Sequence, residues 1–100
     1  MHVVVNRLTF KADADWEAMK AKIPEFAEVV RAEPDFIGIE LLRVDQTTGI
    51  IMVRYRNRDT LDKASSEIAA PWFARNMRQF LGGPADRVVG EVVAAGGPGL

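Results

Sequence analysis

Residues 36–56 read FIGIELLRVDQTTGIIMVRYR, two apolar runs rich in β-branched and aromatic residues on either side of a polar, glycine-containing cluster. Phe36 to Val44 and Gly49 to Arg56 are each of strand length, and Asp45 to Gly49 is turn chemistry, so the segment predicts a β-hairpin. Two strands alone are marginal in water. The flanking sequence has to supply more strands and a cover for one face.

Upstream, Trp16, Met19, Ile23, Phe26 and Val30 recur at steps of three or four, the single stripe of an amphipathic helix, with Asp13 or Asp15 available as N-cap. Pro24 removes one backbone donor and crowds the carbonyl of Lys20, which predicts a kink or break there. Glu33-Pro34-Asp35 then stops the helix. Before it, His2 to Phe10 reads as a strand, and alternation puts Val4, Asn6, Leu8 and Phe10 on one face.

Downstream, a second helical region opens near Asp59 and passes through Leu61 and Ala64 to an expected break at Ala69-Ala70-Pro71. Pro71 suits the first turn of a further helix, with Phe73, Met77 and Phe80 on one side, Trp72 and Asn76 on its flank, and Arg75 and Arg78 pointing away. Gly82-Gly83-Pro84 ends it. Arg87 to Ala94 reads as a last strand and Gly96 to Leu100 as a flexible C-terminal tail.

The order is strand, helix, strand, strand, helix in two pieces, strand: an α+β, ferredoxin-like βαββαβ fold with one four-stranded antiparallel sheet, occupying residues 1–95 as a single domain. Each helix has one apolar stripe, so both cover the same face of the sheet. The other face, with Ile37, Ile39 and Val53 or their neighbours, is left open, and pairing two sheets in a homodimer would bury it.

Composition narrows the functional classes. The 100 residues are 48% apolar and carry 13 basic against 14 acidic side chains spread along the chain, so no broad basic surface for nucleic acid is expected. The absence of cysteine removes disulfides, thiolate nucleophiles and thiolate metal sites. The single histidine, His2, reads as an exposed strand-start residue rather than a metal or haem ligand, and a structural zinc site is set aside. The start MHVVVNRL has no signal-peptide layout and no apolar run reaches a membrane span, so a cytoplasmic protein without membrane partners is the expectation.

Asn6 is the first candidate site residue, a carboxamide within an apolar strand, where an unpartnered polar group costs about 1–3 kcal/mol. Its amide either serves a ligand oxygen or is satisfied by backbone or water. The segment Pro71 to Met77 offers Trp72, Phe73 and Asn76 as the wall of a pocket for a flat apolar ligand, or as plain core. Arg54, Arg56 and Arg58 alternate and would share a strand face if the strand ran that far; Tyr55, on the opposite face, is a packed tyrosine or an interior donor. Glu40 and Glu67 are the acids to consider as general bases.

EPDFIGIELLRV (Glu33 to Val44), the apolar strand after it, the helix, and APWFARN (Ala70 to Asn76) together resemble the antibiotic biosynthesis monooxygenase (ABM) family over nearly the whole chain. The resemblance implies a ferredoxin-like domain that dimerises through its sheets into a dimeric α/β barrel, with a pocket between sheet and helices. VVVNRLTF (Val3 to Phe10) and GEVVAAGG (Gly90 to Gly97) look most like the IsdG-type haem-degrading monooxygenases, in which a first-strand asparagine, a second-helix tryptophan and a haem-ligating histidine form the site. Asn6 matches the first. The histidine position falls on Asn76 or Met77 and the tryptophan position within Ser65 to Glu67, so the imidazole–iron bond is lost. Arg56 stands where many ABM domains carry a strand-end tryptophan.

The function the resemblance implies is a cofactor-independent oxygenase acting on a small aromatic or quinol-like molecule, with Asn6 donating to the substrate oxyanion, Trp72 and Phe73 shaping an apolar wall, and Asn76 as a second polar contact. A haem or porphyrin-binding module without turnover and a non-catalytic dimeric domain are the competing readings.

Overall fold

A computed structural model describes residues 1–99; Leu100, the last residue of the expected tail, lies outside them. Strand β1 (His2–Thr9) is followed by helix α1 (Trp16–Val30), the hairpin β2 (Phe36–Asp45) and β3 (Thr48–Tyr55), helix α2 (Arg58–Ala64), a π-helical turn (Ser65–Ala69), helix α3 (Ala70–Asn76), one 3₁₀ turn (Arg78–Phe80) and β4 (Asp86–Glu91). The sheet order is β2-β3-β1-β4 with every neighbour antiparallel. This is the α+β, ferredoxin-like arrangement the sequence predicts. Among the described residues no helix is long and apolar enough to cross a membrane.

The hairpin turn is tight because Asp45 Oδ1 accepts from the Thr47 backbone N–H at 2.9 Å, an Asx turn that closes β2 onto β3. Helix α1 is tied to it at once: Trp16 Nε1 donates to the Gln46 carbonyl at 2.9 Å, and Gln46 Nε2 returns a bond to the Ala14 carbonyl at 3.1 Å. Gly49 is required at this joint, since a Cβ there would lie 2.6 Å from Phe10 Cε2 and 3.1 Å from Trp16 Cη2.

Asp15 caps α1 by accepting from Ala18 N–H at 3.1 Å. The helix runs unbroken through Pro24, so of the kink or break expected there the break does not occur. Trp16, Met19, Phe26 and Val30 of its stripe are buried against Val4, Leu8, Ile51, Val53 and Tyr55 of the sheet, and that burial holds the helix in register across the proline.

The second helical region departs further from expectation. Its cap is Asn57, whose side chain accepts from Thr60 N–H at 2.8 Å, and Arg58 opens the helix. The break expected at Ala69 to Pro71 is replaced by the π turn, which keeps the backbone helical while shifting the phase of the residues after it. Strand β3 ends at Tyr55, so Arg56 and Arg58 do not join Arg54 on a strand face. Arg54 pairs with Glu40, and Arg58 with Asp62.

The open face of the sheet is set by register. Val5 lies opposite Met52 and Val88, and Arg7 opposite Ile50, which in turn pairs with Leu42. Val3, Val5, Leu42, Ile50, Met52 and Val88 therefore form an apolar surface, with Val88 64% exposed. Ile39 and Val53 are not on it: they pair with each other on the helix side, because the irregularity between Phe36 and Gly38 sets β2 one residue out of simple alternation and leaves Ile37 exposed.

Candidate functional site

Between the sheet and the second helical layer is a cavity of about 330 Å³. Its floor is Val4, Asn6 and Leu8 of β1 with Val53 and Tyr55 of β3; its other wall is Ser65 and Ala69 of the π turn and Ala70, Phe73 and Ala74 of α3. Met77, Arg78, Leu81, Ala85 and Arg87 complete it. The volume lies at the small end of the range for small-ligand sites, which runs from about 300 to 1,000 Å³.

Alternation along β1 puts Asn6 on the helix-facing side between buried Val4 and Leu8. It is half-buried, and its amide makes no hydrogen bond to another side chain or to backbone among the described residues. Its Cα is opposite Ile51 of β3 on one side and Arg87 of β4 on the other. Directly paired residues of an antiparallel ladder point to the same face, so the Asn6 amide and the Arg87 side chain leave the sheet side by side.

Tyr55 is only 1% exposed, and burial, with the negative charge of Glu33 adding to it, pushes its phenol up to about 12. It therefore stays protonated at neutral pH. Among the described residues no carboxylate and no imidazole lines the cavity. The two acids considered as bases both stand elsewhere: Glu40 is on the open face of the sheet against Arg54, and Glu67 is exposed on the π turn.

Of the residues expected to form the site, Asn6 and Phe73 line this cavity and Trp72 and Asn76 do not. Trp72 is 5% exposed and packs edge-on to Phe26 of α1, ring centroids 5.0 Å apart, while its neighbour Phe73 is half-buried at the cavity wall. The expected stripe assumes regular helical phase through Phe80. Instead α3 ends at Asn76 and a 3₁₀ turn comes after it, so Trp72 joins Met77 and Phe80 in the core. Asn76 turns back onto its own helix, donating to the Trp72 carbonyl at 2.9 Å and accepting from Lys22 Nζ at 3.4 Å.

His2 is also outside the cavity. Its side chain is 18% exposed, less than a strand-start residue would suggest, and Nε2 is 3.5 Å from Glu91. Among the described residues no three His, Cys, Asp or Glu side chains gather where they could hold a metal ion. The residues sequence reasoning missed are Arg78 and Arg87: one lay on a helix side assigned to solvent, the other at a strand start. Only the pairing of β4 with β1 brings Arg87 to Asn6.

The model of the family described as antibiotic biosynthesis monooxygenase matches residues 1–67, from β1 to the middle of the π turn. The chain belongs to this family. A comparison with curated protein sequences gives no significant match. Solved structures share the fold: SnoaB, a cofactor-independent oxygenase from Streptomyces nogalater, is 14% identical with a TM-score of 0.74 over 94% of each chain. MhuD, a heme-degrader from Mycobacterium tuberculosis whose structure holds two hemes, is 18% identical with a TM-score of 0.72 over 97% of this chain and all of its own. Rv0793, also from Mycobacterium tuberculosis, is 22% identical with a TM-score of 0.70 over 96% of this chain and 98% of its own. At these identities the likeness carries the fold and not the substrate.

Proposed function

We propose that this ABM-family chain is a cofactor-independent monooxygenase whose substrate, a small aromatic or quinol-like molecule, reacts with oxygen in the cavity beside Asn6. The observation that carries the reading is the half-buried Asn6 amide, without an internal partner, at the floor of a cavity whose deeper surface is mostly apolar. A mostly apolar chamber with an unpaired amide donor on its floor suits a flat molecule that develops negative charge on oxygen, because a hydrogen bond to an anion in a desolvated site is stronger than in water.

In this chemistry the substrate supplies the electrons. For an anthrone-type member of that class, a ring methylene flanked by electron-withdrawing carbon loses a proton, and the resulting carbanion forms a C–O bond to oxygen. The peroxide anion takes a proton back to give the hydroperoxide. The hydroperoxide then loses water, its O–O bond and the remaining C–H bond breaking to leave a carbonyl. One oxygen atom is retained and the other leaves as water. Asn6 would hold the enolate oxygen, Phe73 would flank the ring, and the cavity would exclude bulk water. Among the described residues the lining has no carboxylate or imidazole base, so the substrate must be acidic enough to ionise by stabilisation of its anion.

A haem group does not fit these residues in the manner usual for iron. The described lining offers no imidazole or thiolate, and the phenol of Tyr55 holds its proton to about 12. We assign the working unit as a homodimer formed through the open sheet face, because Val3, Val5, Leu42, Ile50, Met52 and Val88 present a contiguous apolar surface that a chain of this size gains from covering.

The test is oxygen uptake by the purified protein with a panel of hydroquinones and anthrone-type ketones. Catalysed uptake is expected with at least one, and Asn6→Ala should lower its rate by about 10²-fold, the loss typical of one oxyanion donor. Uptake at the background rate across the panel would refute the reading.

A further inference from the structure

The cavity is not electrically neutral. Arg78 and Arg87 both line it and both are exposed, so they stand at its mouth, and among the described residues neither forms an ion pair or a side-chain hydrogen bond. Arg31, Arg54 and Arg58 each pair with a carboxylate, while Arg7 and Arg75, like Arg78 and Arg87, do not among the described residues; what sets Arg78 and Arg87 apart is that they share one cavity. With no acid in the described lining, two uncompensated guanidinium groups face one opening. The deeper surface is apolar apart from Asn6, Ser65 and the phenol of Tyr55. The pairing of Asn6 with Arg87 links the two zones: one amide on the floor and one cation beside it, on the same face of adjacent strands.

We infer that the natural ligand is an aromatic acid that enters ring first and leaves a carboxylate at the mouth, held by Arg87 and Arg78. The polarity of the cavity fixes that orientation. A permanent anion left at the rim keeps part of its hydration, and guanidinium groups match carboxylate geometry in a fork. Driven to the floor, the same anion would lose its water for a single amide. The reacting carbon of the ring is thereby delivered to Asn6. This rests on the cavity being the substrate site of the proposed oxygenase, but it is measured by binding and does not need turnover.

The experiment titrates the full-length protein with anthracene-9-carboxylate and, separately, with anthracene-9-carboxamide, following ligand fluorescence. The carboxylate should bind about fivefold or more tighter than the neutral amide at low salt, and the preference should shrink as salt is raised. Arg87→Gln and Arg78→Gln should each weaken the carboxylate several-fold while leaving the amide within about twofold, and the double variant should remove the preference. The unchanged amide affinity reports that the variants are folded and the cavity intact. Equal affinities for the two probes, no saturable binding of either, or a parallel loss of both in the arginine variants would overturn the inference. A retained carboxylate preference without oxygen uptake on any substrate would keep the ligand class and discard the oxygenase.

Discussion

Replacing Asn6 by leucine separates a ligand-binding amide from a structural one. If the amide holds the fold, its removal leaves a neighbour unpaired and costs about 1–3 kcal/mol. The structure argues the opposite sign. Asn6 sits between Val4 and Leu8 on the core face, its side chain has no internal hydrogen bond among the described residues, and the cavity in front of it has room for a leucine. Desolvating an unpaired amide costs up to a few kcal/mol when complete, but Asn6 is half-buried and water reaches it, so roughly half of the lower bound is relieved on substitution, and leucine adds partial apolar burial. The net is a gain of about 1 kcal/mol. For a domain this small that raises Tm by roughly 4–8 °C. Urea and thermal unfolding of Asn6→Leu against the parent measure it directly, with Asn6→Ala expected within about 0.5 kcal/mol of neutral. The same Asn6→Leu protein should be inactive in oxygen uptake. A loss of more than about 1 kcal/mol would refute the reasoning, since it would show the amide bonded to something the fold depends on.

Tyr55 gives a pH signature. Its phenol ionises at about 12 when folded, against 10.0 for a free tyrosine, so the unfolded chain releases the proton first and stability falls as pH rises from 10 towards 12. Below pH 10 the contribution is fully present; the loss reaches at most about 3 kcal/mol. Urea midpoints across that range should decline less steeply in Tyr55→Phe, and identical slopes would discount the burial of the hydroxyl. For the open face, sedimentation should give twice the 11.1 kDa chain mass for the parent, and Met52→Asp, which puts a charge in the middle of that face opposite Val5, should give monomer. A monomeric parent would dispose of the sheet-paired dimer.

The fold was legible because its signals are local and agree with one another. The stripe from Trp16 to Val30, the Asp45 to Gly49 turn and the alternation of β1 each specify an element, and the elements in that order leave one economical topology. The site was legible only where it lies on a regular element: Asn6 comes from counting by two along β1. Trp72 and Phe73 exchange roles because the π turn and the 3₁₀ turn change the helical phase, and neither has a sequence signature as clear as a cap or a proline. The break expected at Pro71 is the nearest visible sign of the first. Arg87 could not be assigned to the cavity from periodicity, since its neighbour Asn6 is 81 positions away and the register of β4 on β1 is a tertiary fact.

The cavity exists because its helical wall is built of small side chains. Ser65, Ala69, Ala70 and Ala74 face the sheet where larger residues would fill the space, while Trp72 is turned away to Phe26 and keeps the helix anchored. The π turn supplies two of those four positions and lets α3 hold its distance from β1 and β3 without breaking the chain. At about 24 cal/mol per Å³, a dry void of 330 Å³ would cost about 8 kcal/mol, comparable with the whole stability of an ordinary domain. A chain of 100 residues does not tolerate that as a packing defect. The space must be open to solvent, as the exposed Arg78, Ala85 and Arg87 at its mouth indicate, and an apolar chamber kept solvated is one whose water a flat aromatic ligand displaces with a favourable free energy. The alanine wall creates that driving force, and under the proposed reading Asn6 and the two arginines decide which ligand it acts on.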